Sequence, residues 1–108
     1  MSFDAILKDL KDRNFKPIYF LHGDEAYYID AIVDYALANI LEEGERDFNQ
    51  TVLYAKDTPP LNVLDAATRL PMMSEYNVVV VKEAQEYKKV AQWEVFEQYF
   101  ESPSNSTI

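Results

Sequence analysis

The sequence predicts an α/β domain, a three-layer sandwich in which a mostly parallel sheet carries helices on both faces. Three observations support that reading. Short apolar runs at residues 18–22, 52–54 and 78–81 lack the alternation of a strand with one wet face. Val78-Val79-Val80-Val81 is apolar at every position, the pattern of a strand buried on both sides. Between these runs, apolar residues recur at helical spacing. Strand and helix patterns then alternate along the chain, the order that builds parallel sheets through crossover helices.

The elements follow in order. Ser2 can cap a first helix with Asp4 in its first turn, where an acidic side chain suits the helix dipole. Phe3, Ile6, Leu7 and Leu10 form its buried stripe, while Lys8, Lys11 and Lys16 fall off that stripe and face water. Pro17 opens a strand over residues 18–22, and Gly23 breaks it. Asp24 can cap a long helix whose stripe is Ile29, Ile32, Val33, Ala36, Leu37, Ile40 and Leu41, with Gly44 as its C-terminal stop. A second strand covers about residues 49–55. Thr58-Pro59 starts a shorter helix with Leu61, Leu64, Ala67 and Thr68 on one face. It runs to Leu70, where Pro71 forces the preceding residue out of helical geometry. The valine strand comes next, then a polar stretch through Lys89. Val90, Trp93, Phe96, Tyr99 and Phe100 mark a last helix, stopped by Ser102-Pro103. Ser106-Thr107-Ile108 reads as the opening of a fourth strand.

Composition narrows the function classes. A chain of 108 residues is one domain, and 48% hydrophobic content places it outside the disordered class. No apolar run approaches the ~20 residues of a membrane span, and the start lacks the basic and apolar regions of a signal peptide. Without cysteine there is no disulfide and no thiolate metal site, which fits a cytoplasmic protein. The net charge of -9 repels phosphates. The basic groups Lys8, Lys11, Arg13, Lys16 and Lys88-Lys89 are too thin for strong direct nucleic-acid binding.

In sheets of this type, ligands sit at the first strand-to-helix turn, beyond the carboxyl ends of the strands. Here the turn runs from Leu21 to Asp30 and can be laid against a phosphate-binding loop. Gly23 matches the first glycine. Tyr28, Ile29 and Asp30 then stand where the second glycine, the lysine and the Ser/Thr hydroxyl are needed. Asp24 and Glu25 put negative charge at the helix start, which a phosphate would need free. After the valine strand, Lys82-Glu83 replaces the acidic pair that holds magnesium in ATPases. The loop is a degenerate nucleotide site, with no catalytic residue, metal or cofactor implied. A receiver-like signalling domain is an alternative suggested by Asp24, Glu25 and Asp57, but it needs an aspartate where Lys82 ends the third strand. An NTP-binding α/β enzyme domain is the other alternative. His22, the single histidine, lacks nearby partners for metal ligation. The tyrosines read mostly as surface residues and Trp93 as core. Spacing alone makes Met72 and Met73 the edge of the core, although methionine also suits apolar binding surfaces.

Taken together, Pro17-Ile18-Tyr19-Phe20-Leu21-His22-Gly23-Asp24-Glu25, Asp47-Phe48-Asn49, and Leu70-Pro71-Met72-Met73-Ser74-Glu75 leading into the valines resemble the N-terminal domain of the bacterial DNA polymerase III delta subunit. The resemblance covers essentially the whole chain. It implies an AAA+-like P-loop fold that has lost nucleotide binding, in a clamp-loader subunit that binds and opens the sliding clamp without ATPase activity of its own. It further implies that Pro71 and Met72, flanked by Leu70, Met73 and Ser74, enter an apolar pocket of the clamp, the beta subunit. Met72 stands where the family often has an aromatic. The other loader subunits would be partners through parts absent here, since that family's subunit is longer and residues 1–108 would be one domain of it. The resemblance also places the strand starting at residues 106–108 between the first and third strands.

Overall fold

The structure, a computed structural model, describes residues 3–22 and 26–108. Its elements are α1 (Phe3–Lys11), α2 (Ala26–Asn39), α3 (Glu43–Asn49), β1 (Gln50–Tyr54), α4 (Pro60–Thr68), β2 (Val78–Lys82), a 3-10 turn (Ala84–Glu86), α5 (Val90–Glu94) and α6 (Glu97–Glu101). β1 and β2 pair in parallel, from Gln50 opposite Val78 to Tyr54 opposite Lys82, with α4 as the crossover.

The valine strand is apolar throughout because each face meets its own cluster. Val78 and Val80 pack with Ile6 and Leu10 of α1, Ile32 of α2, and Ile40 and Leu41 just beyond it. Val81, with Leu53 of β1, turns to the other side and meets Ala55, Val63, Tyr87 and Phe96. Alternate side chains of one strand therefore feed two cores. Burial is less complete than the sequence predicts: Val78 is 2% exposed, while Val79, Val80 and Val81 are half-buried.

Among the described residues the sheet is smaller than predicted, with two strands. Residues 18–22 do not join it. Tyr19 and Leu21 pack on the first cluster, and the Tyr19 hydroxyl accepts from the Lys16 amide at 2.9 Å. Tyr19 and Leu21 are thus satisfied by packing, without a backbone ladder among the described residues, while Phe20 stays 62% exposed. The free edge of β2 is met instead by the start of the expected fourth strand. Asn77 bridges Thr107 in parallel. The Asn77 amide donates to Ser106 at 2.7 Å, the Ile108 amide to Asn77 at 2.9 Å, and the Val79 amide to Ile108 at 2.9 Å.

The long helix also ends earlier than predicted. Arg13 donates to the carbonyls of Asn39 at 3.3 Å and Ile40 at 3.1 Å, and Arg46 donates to that of Ala38 at 2.6 Å. These guanidiniums take carbonyls that the end of α2 leaves without helical partners. Ile40 and Leu41 complete the apolar stripe from a turn, at 4% and 3% exposed. Gly44, predicted to stop that helix, lies instead in the first turn of α3. A reciprocal box between Glu42 and Glu45 caps α3 at its start.

Smaller shifts follow the same logic. The cap of α4 is Pro59, with Pro60 inside the helix, one residue later than predicted. Its last residue is Thr68, whose hydroxyl donates back to Leu64 at 2.9 Å. The last predicted helix is split into α5 and α6 around Val95-Phe96. Tyr87 is core rather than surface. It is 4% exposed, its hydroxyl donates to the Thr58 carbonyl, and its carbonyl accepts from the Trp93 indole at 2.7 Å. Burial pushes its pKa up. Trp93 is half-buried against this second cluster.

Candidate partner-binding loop

Between α4 and β2 the chain makes a loop whose side chains and backbone have opposite fates. Leu70 is 80%, Met72 60% and Met73 100% exposed, while Pro71 and Ser74 are half-buried. Exposed apolar side chains this close together are unusual on a domain with two formed cores. The core-edge reading of the methionines therefore does not describe this loop. Met73 has φ 55, a left-handed conformation that costs a side-chain-bearing residue roughly 1–2 kcal/mol.

The backbone is held from beneath by two buried asparagines. Asn49, the last residue of α3 and 2% exposed, accepts from the Met72 amide at 2.6 Å and donates to the Met72 carbonyl at 2.8 Å. The same amide nitrogen donates to the Glu45 carbonyl at 3.0 Å, one turn back in the helix. Asn77, 5% exposed at the foot of β2, donates to the Arg69 carbonyl. The Glu45 carboxyl is held below its ordinary value, first by the Ser74 hydroxyl and then by the Glu42 backbone amide. The Ser74 hydroxyl also lies 3.3 Å from the Tyr76 carbonyl. Sequence reasoning found the loop, with Asn49 only as part of the Asp47-Phe48-Asn49 match, and missed the tethering roles of Asn49 and Asn77. The signal available was a pair of asparagines placed where a helix ends and a strand begins.

The predicted nucleotide loop has a different character. Gly23, Asp24 and Glu25 lie outside the described residues. Tyr28, 47% exposed, has its ring 5.0 Å from Phe3 and 5.4 Å from Tyr27. Ile29 is half-buried and Asp30 exposed, both in the first turns of α2. The Lys82 ammonium sits 5.8 Å over the Tyr54 ring, and Glu83, exposed with φ 58, follows it. His22 is exposed. Among the described residues there is no group of three or more His, Asp or Glu side chains placed to hold a metal. Nor is any described helix long and apolar enough to cross a membrane. A cavity of about 1160 Å³ lies between residues 17–22 and the free edge of β2. It is lined mainly by apolar side chains, and none of residues 70–74 lines it.

Fold and site together define a small parallel α/β scaffold that presents an exposed apolar loop on a tethered backbone. The family model for the DNA polymerase III delta subunit matches residues 19–108, and this chain belongs to that family. It is 28% identical over 115 residues to the DNA polymerase III subunit delta of Bacillus subtilis (strain 168), covering 100% of this chain and 33% of that one. Its fold is similar to that of the Bacillus subtilis DNA clamp loader delta protein, with a TM-score of 0.88 and 24% identity over 99% of this chain and 34% of the other. The chain thus spans about a third of the length of the relatives it matches.

Proposed function

We propose that residues 1–108 form a single AAA+-like, N-terminal domain of a clamp-loader delta subunit, and that this domain binds and opens the sliding clamp during DNA replication. Leu70, Pro71, Met72, Met73 and Ser74 are the clamp-binding residues, and their apolar side chains enter a pocket of the clamp. The observation that carries this reading is the exposure of Leu70, Met72 and Met73 above a backbone fixed by buried polar groups. Such groups are well suited to an apolar pocket: methionine adapts to irregular surfaces, and a few buried anchors supply most of an interface's binding energy.

The domain works without ATPase activity. Tyr28, Ile29 and Asp30 offer neither a phosphate-pairing cation nor a magnesium hydroxyl at the start of α2. It acts in the cytoplasm beside the other loader subunits and makes no strong contact with nucleic acid, in keeping with its net charge of -9. Titrating the sliding clamp of the same organism with the full chain tests the proposal. Saturable binding is expected; a complete lack of binding by a folded chain would overturn it.

A further inference from the structure

We infer that Asn49 is a positioning residue for clamp recognition, one that sets the shape of the anchor loop before any partner arrives. The inference rests on the reading of residues 70–74 as the clamp-binding loop. A methionine in a solvent-facing loop ordinarily samples many conformations, and fixing its backbone costs conformational entropy. Here both polar groups of the Met72 backbone are taken by one side chain, at 2.6 and 2.8 Å. The Asn49 amide acts as a short strand edge for a single residue and leaves the Met72 side chain free. It is itself 2% exposed and held by the Glu45 carbonyl at 3.0 Å, so its rotamer is fixed by α3.

The direction of these contacts separates positioning from ordinary core satisfaction. A buried asparagine that only needed a partner has one in its own helix, the Glu45 carbonyl. Asn49 in addition spans 23 residues of sequence to reach the exposed apolar residue itself. α3 therefore works as a template: from its last residue, Asn49 fixes the height of Met72. A partner then meets a loop already in its binding shape, and the ordering cost falls on folding rather than on binding.

The test compares Asn49→Ala and Asn49→Asp with the unmodified full chain. Asn49→Asp keeps the shape and the acceptor for the Met72 amide but loses both donated bonds. Without clamp, hydrogen exchange at the Met72 amide should quicken in Asn49→Ala while the β2 amides keep their protection. With clamp, both variants should bind about tenfold more weakly, mainly through slower association, because only the loop's competent fraction can bind. In a Met72→Ala background the Asn49→Ala loss should shrink to about threefold or less, since the two residues act through one contact. Variants that stay folded, bind like the unmodified chain and keep the Met72 amide protected would overturn the inference. So would an undiminished loss in the Met72→Ala background, or failure of both variants to fold, either of which makes Asn49 a general stabiliser. If Met72 exchange quickens as expected but the unmodified chain binds no clamp, the assignment of the loop fails while the tether stands.

Discussion

Replacing Met72 with alanine separates anchoring from packing more cleanly than any other single change. Fully burying a methionine side chain is worth about 1.5–3 kcal/mol. Met72 keeps 60% of its surface exposed, so about 1–2 kcal/mol remains for a partner to gain and about 1 kcal/mol or less serves the fold. The first share corresponds to clamp binding weakened roughly 5- to 30-fold. The second corresponds to a fall in melting temperature of about 5 °C or less for a domain of this size. Both backbone bonds to Asn49 survive the substitution, so the loop keeps its path. Binding kinetics on immobilised clamp, read beside a thermal melt, measure the two shares together, and most of the affinity loss should appear as faster dissociation. A variant that melts about 10 °C lower yet binds as tightly as before would show that Met72 belongs to the core, refuting the division worked out here.

Two further expectations follow from the same structure. Calorimetric titration with Mg-ATP should give no heat of binding, since Tyr28, Ile29 and Asp30 occupy the phosphate-loop positions; a micromolar dissociation constant would overturn the non-ATPase reading. The Glu45 carboxyl is held below its ordinary 4.5, first by the Ser74 hydroxyl and then by the Glu42 backbone. A depressed carboxyl stabilises the fold above its unfolded pKa, and that contribution is lost as pH falls through the folded value. The melting temperature of the unmodified chain should therefore drop more steeply below about pH 4.5 than that of Glu45→Gln; parallel curves would refute a depressed Glu45 carboxyl.

What could be read from the sequence was what local pattern encodes. The valine run, the stripe of α2 and the end of α4 before Pro71 follow from side-chain periodicity and from Pro71, and all three are present; the exposure of Met72 is read only from the family resemblance. α3 escaped notice because Glu-Glu-Gly-Glu resembles a helix end. Yet Gly44 sits in open space, with nothing within 4 Å of where a side chain would begin, and the Glu42–Glu45 box restarts the helix. The failure at residues 18–22 has another origin. An apolar run reports that side chains will be buried, and Tyr19 and Leu21 are packed. It cannot report whether a neighbouring strand will offer a ladder. The tethers were hidden for a related reason. The roles of Asn49 and Asn77 depend on contacts 23 and 8 residues away, which no short window contains.

The central claim is that the loop over residues 70–74 is where this domain meets the sliding clamp. Mapping backbone amide shifts of the labelled full chain during titration with clamp addresses it most directly. The largest changes should fall on residues 69–76 and on Asn49 beneath them, with α5 and α6 undisturbed. Changes centred instead on the cavity between residues 17–22 and β2, with Leu70, Met72 and Met73 unaffected, would contradict it.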